Sequence, residues 1–475
     1  MQIYAFSFKI FIICELLINY ALLKTNEKAR LMKILKFGGT SVGSVENLIK
    51  VKEILISDQE DKMVVCSAMS GVTDQLIRLV ENVKFSDVDA ITRNLHRLES
   101  KHSDVIDELI KDQGIRNTLK DGLSAMITEM FEISSQEYSE VVNSKLITFG
   151  EAILTYIFSG FLNAEGISNV LLDAKEFMYV GSVENPNISN VEEKLTKVIE
   201  CNPHTSLYIT QGFVCRNEVE QISHLKRGGS DYTATIIGAA LNASEVQIWT
   251  DIDGLHNNDP RYVEETHPIS HLTYNEAAEL AYFGAKILHP QTVSPVVGKD
   301  IPVLLKNTFD PEAPGTVISN KTYQKGLKAI SAKDGITAIK IKSNRMLMAH
   351  GYLRRIFEVF DNYHTSIDMI TTSEIAISLT IDNTSNLDEI VKEIETYAEI
   401  TVEQDHSIIC IVGESVINDK NSYKLFEILN FIPVRMVSYG GSNNNISILV
   451  DTKDKIPTLK FLNKKLFQTT IEAVV

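Results

Sequence analysis

Cysteine is scarce in this 475-residue chain: there are five (Cys14, Cys66, Cys201, Cys215, Cys410), and none forms a C-x-x-C pair. That spacing excludes a zinc ribbon or a disulfide framework and suits a reducing, cytoplasmic compartment. Basic residues are in deficit, 46 against 62 acidic ones, for a formal charge of −16. The balance argues against nucleic acid or an anionic membrane as main partner, so an anionic ligand must meet a local cluster of cations. G-x-G-x-x-G and G-x-x-x-x-G-K-[ST] runs are missing, which removes the two commonest phosphate fingerprints. Long apolar runs are lacking except at residues 3–23, where Lys9, Glu15 and Asn19 interrupt the stretch. Charges near the middle of a membrane span are costly, and Met32 stands directly before the first strand pattern. Residues 1–31 are therefore read as an extension from an upstream start codon, with a membrane-directing segment as the alternative.

With 44% hydrophobic residues, the chain can bury the cores of about three domains. From residue 33 to about 305, short β-rich runs (Ile34–Phe37, Met63–Ala68, Val170–Asp173, Leu207–Gly212, Val246–Thr250, Pro302–Leu305) alternate with helical patterns. The alternation predicts an α/β fold with a mainly parallel sheet sandwiched by helices, and ligands gather at strand carboxyl ends in such sheets. Long helical patterns fill residues 90–165. Pro311, Pro314 and Gly315 mark a connection into a second region.

The last 140 or so residues repeat themselves. Ile367–Thr371 matches Val434–Ser438, and Ile377–Asp382 matches Ile446–Asp451. Helical patterns precede each matched strand (Leu353–Tyr363, Tyr423–Asn430) and follow each pair (Leu387–Tyr397, Pro457–Phe467). Two α+β modules of βαββαβ type are the economical reading.

Five segments carry candidate chemistry. In Lys36-Phe37-Gly38-Gly39-Thr40-Ser41-Val42, a lysine ends an apolar strand and two glycines follow, so backbone N–H groups can approach phosphate oxygens beside a compact cation. Alone, this turn also fits a plain strand-to-helix loop. Thr73, in Ser70-Gly71-Val72-Thr73-Asp74, can donate to a carboxylate or simply sit in a helix N-terminus. Glu151, after Phe149-Gly150, is either a site acid or a helix-start acid. Lys226-Arg227-Gly228-Gly229-Ser230-Asp231-Tyr232-Thr233 puts cations and glycines ahead of a small-residue helix, Ala234–Leu241, whose N-terminus can face an anion; Arg227 can clamp a carboxylate bidentately. The last segment runs from Thr250-Asp251-Ile252-Asp253-Gly254 through Asp259-Pro260-Arg261 to Phe283-Gly284-Ala285-Lys286-Ile287-Leu288-His289-Pro290. Thr250 and Asp251 suit nucleotide contacts and Arg261 and Lys286 suit phosphates, although Asp251 and Asp253 alone read as turn residues.

In order and content these motifs resemble the aspartate kinases, enzymes of the amino-acid-kinase fold that phosphorylate L-aspartate with ATP. The resemblance runs from about Met32 to the end, and the twin modules resemble the paired ACT regulatory domains of that family. It implies an extension (1–31), a catalytic domain (32–305), a connector (306–335) and two ACT-like domains (336–402 and 403–475). It implies a monofunctional enzyme of lysine, threonine and methionine biosynthesis, feedback-inhibited by lysine. The alternatives are another amino-acid kinase of this fold or an inactive amino-acid sensor.

Carried over residue by residue, the resemblance gives Lys36 and Asp231 catalytic roles. It places Lys36, Phe37, Gly38, Gly39, Thr250, Asp251, His256, Arg261, Lys286 and Ile287 around ATP, and Thr73, Glu151, Arg227, Gly228, Gly229 and Ser230 around aspartate. His256 stands where lysine-sensitive relatives often carry tyrosine. Mg²⁺ is expected with the nucleotide, and no protein-held metal site is read. In the first module, Gly351-Tyr352-Leu353 opens a helix whose free N–H groups can take a carboxylate, while Asp368 and Glu374 suit a cationic amino acid. Arg435 and Ser438–Ser442 replace that acid pair in the second module. Lysine is therefore expected at Met346, Gly351, Tyr352, Leu353, Ile367, Asp368, Thr372, Ser373 and Glu374, unless the two acids are solvated turn residues. A homodimer through the ACT-like domains, and no nucleic-acid or membrane partner, complete the expectation.

Overall fold

The structure, a computed structural model, describes residues 32–226, 228–284, 290–323, 325–342, 351–418 and 423–468. Two compact units emerge, one running to Gly254 and including Gln291–Asn320, the other made of Leu255–Pro290 and Lys321 onward. Strands of the first unit are β1 (Lys33–Phe37), β2 (Lys62–Cys66), β3 (Val170–Leu172), β4 (Tyr179–Gly181), β5 (Leu207–Gln211), β6 (Val214–Asn217), β7 (Ile222–His224) and β8 (Glu245–Thr250). After β9 (His271–Thr273), which belongs to the second unit, the first resumes with β10 (Val303–Asn307) and β11 (Thr316–Ser319).

The main sheet of this unit runs β3-β5-β2-β1-β8-β10-β11. Its pairs are parallel except β10 with β11. β2 (KMVVC) is buried along its whole length, as expected of a central parallel strand covered on both faces. Helices Val88–Leu109 and Gln113–Ser134 begin where the Asp87 and Asp112 carboxylates accept from backbone N–H groups three residues on. On the first of them Ile91, Leu95, Leu98, His102, Ile106 and Leu109 are buried, one stripe at helical spacing. The apolar stretch Glu140–Ala164 is long enough for a membrane span, yet 72% of its most apolar window is buried inside the structure. Chain direction across the sheet reverses between β1 and β8, because β1 leads outward to β2 and β8 leads the other way to β10. That reversal opens a crevice at the strand carboxyl ends.

The second unit continues with β12 (Gly326–Lys342), β13 (Met369–Thr372), β14 (Ala376–Ile381), β15 (Glu399–Glu414), β16 (Met436–Ser438) and β17 (Asn445–Asp451). They form one antiparallel sheet in the order β13-β14-β12-β15-β17-β16. β12 and β15 pair from Gly326 with Glu414 to Lys342 with Glu399, with register shifts around Lys333–Ala338. Past the shifts, Ile339 and Ile341 join a core with Ile356, Phe360, Ile377 and Leu379. Before them, Ile330 joins Ile409, Ile411, Leu425, Ile446 and Leu459 in a separate core.

Two modules are present, but they are nested rather than consecutive. The strand that completes the second module is the first half of β12, which precedes the first module in sequence. The expected divisions at 305, 336 and 403 therefore do not follow compactness: 306–335 carries β11 and the start of β12, and residues 255–290 group with the later unit.

Helix Tyr274–Tyr282 begins in a capping box between Thr273 and Glu276. The Glu276 carboxylate accepts from Thr273 N–H at 2.7 Å and pairs with Lys328 Nζ at 2.8 Å, with both side chains buried. Removing one partner of a buried ion pair strands the other charge. Lys328→Met should therefore destabilise the second unit by about 3–5 kcal/mol in urea unfolding; an unchanged midpoint would contradict this.

Candidate active site

The crevice is built from strand ends. Gly38 N–H donates to Trp249 C=O at 3.2 Å, Ser67 N–H to Phe37 C=O at 3.1 Å and Gly212 N–H to Cys66 C=O at 2.9 Å, so the ends of β8, β1, β2 and β5 are laced together. The Phe37 and Trp249 rings stack with centroids 5.8 Å apart. Buried Ser41 shares a 2.7 Å hydrogen bond with Thr308 and donates to Trp249 C=O at 3.3 Å, fixing the glycine loop to β8. In this frame Lys36 reaches across the crevice, and its Nζ lies 2.6 Å from Asp231 Oδ1, each side chain little exposed.

Asp231 is placed by helix Gly229–Leu241, which starts five residues earlier than the expected Ala234, so that Ser230 and Asp231 fall in its first turn. Gly228 caps the helix at φ +73°, a conformation that costs a side-chain-bearing residue energy. A Cβ on Gly229 would lie 2.6 Å from the Phe213 ring, so glycine is required there by close packing as well. The helix N–H groups and Lys36 then point their positive ends at one place.

A cavity of about 250 Å³ opens here, lined by Lys36, Thr73, Glu151, Gly228, Gly229, Ser230 and Asp231. The sequence-predicted aspartate-side residues thus meet the predicted catalytic pair, except Arg227, which lies outside the described residues. Thr73 stands in the first turn of helix Val72–Lys84 and is exposed. Glu151, in the first turn of helix Phe149–Ala164, is buried, and its Oε1 accepts from Ala68 N–H at 3.2 Å. Burial pushes its carboxyl up to about 8 despite that hydrogen bond. A cation brought beside it would restore the carboxylate.

At the β8 side, Thr250 C=O accepts from Thr308 N–H at 2.8 Å, and Thr250 Oγ1 donates to the exposed Asp251 at 3.1 Å. Lys306 Nζ lies 5.3 Å above the Trp249 ring. His256 and Arg261 belong to the second unit, where His256 Nδ1 bonds Thr266 Oγ1 at 2.9 Å and Arg261 is held by the Asp259 carboxylate through Nε (3.0 Å) and Nη2 (2.6 Å). Lys286 and Ile287 lie outside the described residues. No group of three or more His, Cys, Asp or Glu is gathered for a metal ion among the described residues.

Two cavity residues escaped the sequence reading, Ser67 and Phe213. Both directly follow β-strand ends or their glycine, so the strand-end rule that selected Lys36 would have found them. Phe213 holds φ +70°, and strain of that kind gathers at functional sites.

In the second unit, Gly351 (φ +83°) caps helix Tyr352–Asn362. Leu353 is exposed and Ile367 borders a groove of about 660 Å³ with Phe357, His364 and Ser366. Thr372 ends β13, Ser373 closes the turn through Ala376, and Glu374 is exposed. Met346 lies outside the described residues. Asp368 is not a free acid: its buried carboxylate already pairs with Lys333 Nζ at 2.9 Å and accepts from Tyr282 Oη at 2.8 Å. The expected pairing of Asp368 with Glu374 as two open acids is thus not what the folded chain presents.

Comparison with known proteins bears on this geometry. Residues 32–307 match the model of the amino acid kinase family. Aspartokinase 3, chloroplastic, of Arabidopsis thaliana is 34% identical, the match covering 96% of this chain and 85% of the relative. The lysine-sensitive aspartokinase 3 of Escherichia coli is 32% identical over 91% of this chain and 98% of its own. E. coli aspartokinase III has been solved with lysine and aspartate (TM-score 0.76, 29% identity, 92% of this chain and 99% of that one) and with aspartate and ADP (TM-score 0.77, 29% identity, 92% and 100%).

Proposed function

This chain belongs to the aspartokinases of the amino acid kinase family and phosphorylates L-aspartate, and from that premise we propose that MgATP is the donor and the β1–β8 crevice the place of transfer. The observation that carries the residue assignment is the Lys36–Asp231 pair at 2.6 Å facing a cavity that also holds Glu151. The product is 4-phospho-L-aspartate.

The nucleophile is the substrate's side-chain carboxylate, ionised at neutral pH, so no general base is needed. The protein's work is alignment and charge neutralisation. Lys36 stabilises charge building on the transferred phosphoryl oxygens, and Asp231 orients its ammonium. Gly38, Gly39 and the start of helix Gly229–Leu241 offer N–H groups to phosphates. Thr250 and Asp251 take the nucleotide side. Glu151 receives the α-ammonium, while Arg227, Thr73 and Ser230 receive carboxylate oxygens. Mg²⁺, when bound with the nucleotide, would supply further charge neutralisation. Lysine is the effector, held at the first regulatory module, with a homodimer through the regulatory modules and a cytoplasmic setting; support comes from the helix start at Gly351, the groove beside Ile367 and the lysine-bound E. coli relative.

Trapping the acyl phosphate with hydroxylamine tests the reading: aspartate plus ATP should give the hydroxamate, while glutamate and acetylglutamate should not. In that assay Lys36→Ala should lower kcat by about 100-fold or more, as for loss of a strong transition-state electrostatic partner; near-normal turnover would remove Lys36 from its role. A second test follows from Glu151. With its carboxyl at about 8 in the free protein, binding an ammonium below that pH must first expel a proton. KM for aspartate should therefore fall by about tenfold per unit as pH rises from 6 towards 8 and then level, and Glu151→Gln should flatten that profile while raising KM. A wild-type KM independent of pH over this range would rule out the Glu151–ammonium contact.

A further inference from the structure

Helix Tyr274–Tyr282 is fastened to the regulatory sheet at three points spaced three residues apart. Glu276 pairs with Lys328 of β12, Glu279 accepts from the Asn445 side chain of β17, and Tyr282 donates to Asp368 at the head of β13. The first two strands border the second module's core; of these three contacts, the Tyr282 one is made to the first module. Its partner carboxylate is fully buried, and one oxygen, Oδ1, takes both Tyr282 Oη (2.8 Å) and Lys333 Nζ (2.9 Å), while Oδ2 has no hydrogen-bond partner among the described residues. Lys333 also pairs with Asp382 at 2.8 Å and lies 4.5 Å from the centre of the Tyr282 ring. A buried carboxylate with an open oxygen can accept one more donor.

Gly284 adds an independent constraint. It adopts φ +120°, and a Cβ there would stand 2.0 Å from Ala332 C=O, so residues 282–284 are seated on Ala332–Lys333. That is where the β12 register shifts and the strand passes from one module's core to the other's. In sequence the seated run leads directly to Lys286.

We propose that Tyr282 is the coupling residue of feedback control: an amino-acid cation meeting the open oxygen of Asp368 redistributes that carboxylate's hydrogen bonds, and the Tyr282 end of the helix moves or stays accordingly. The proposal rests on lysine being the effector. Burial, and then the Asp368 carboxylate, push the Tyr282 hydroxyl up to about 12, so it remains a donor throughout the working pH range.

Tyr282→Phe deletes the hydroxyl alone and leaves Lys333 on Asp368, so the fold is retained. The full chain and this variant are compared by calorimetric lysine binding and by hydroxylamine-trapped aspartyl phosphate across a lysine titration. Without lysine, kcat and both KM values should agree within about twofold, and lysine should still bind; at saturating lysine the variant should keep at least about fivefold more residual activity than the wild type, as expected for a lost coupling free energy. Superimposable inhibition curves for wild type and variant would overturn the coupling role while leaving lysine as effector. A wild type that neither binds lysine nor is inhibited by it would overturn the effector reading itself, and the role of Tyr282 with it.

Discussion

The ion pair between Lys36 and Asp231 is the contact on which the rest of the catalytic unit depends. It joins the carboxyl end of β1 to the first turn of helix Gly229–Leu241, two segments nearly two hundred residues apart in the chain, at 2.6 Å and with little exposure. A lysine held this way has lost much of the freedom of its four-carbon stem before any ligand arrives. The positive helix start and the glycine loop then face the same space. In a chain carrying a formal −16, such local concentration of positive charge is the condition for binding a polyanionic nucleotide.

The same crevice contains the opposite device. Glu151 is buried deeply enough that its charge needs a partner, whereas the Lys36 ammonium already has one. One side of the cavity thus awaits a cation and the other an anion, which suits a zwitterionic amino acid approaching a phosphoryl donor. The regulatory unit uses related physics with a different result. Glu276 and Asp368 are buried carboxylates each paired through one oxygen with a lysine of β12, and they fix a helix rather than a substrate.

Much of the catalytic unit was legible because its information is local. Apolar runs ending in glycine or threonine reveal parallel strands and the loops that follow them; Lys36 and Thr250 lie at such strand ends and Asp231 just after such a loop. Where the sequence misled, the cause was distant pairing. Helix Gly229–Leu241 starts early because Gly228 supplies a left-handed cap, a conformation indistinguishable in sequence from a loop glycine. The two modules looked consecutive because the repeat is consecutive, yet pairing of β12 with β15 along their whole lengths nests one inside the other. Asp368 read as a solvent-facing acid because Lys333 and Tyr282, which both engage its Oδ1, are 35 and 86 residues away. Ser67 and Phe213 carried no residue-type signal and enter the cavity through backbone position alone.

A double-mutant cycle on the Lys36–Asp231 pair tests the central claim most directly. Lys36→Met, Asp231→Asn and the double variant are compared with wild type by kcat for aspartyl phosphate formation. If Asp231 acts through Lys36, the double variant should be no more than about twofold slower than Lys36→Met alone, the signature of residues working as one unit. Losses that multiply would show the two side chains acting independently and would contradict the account.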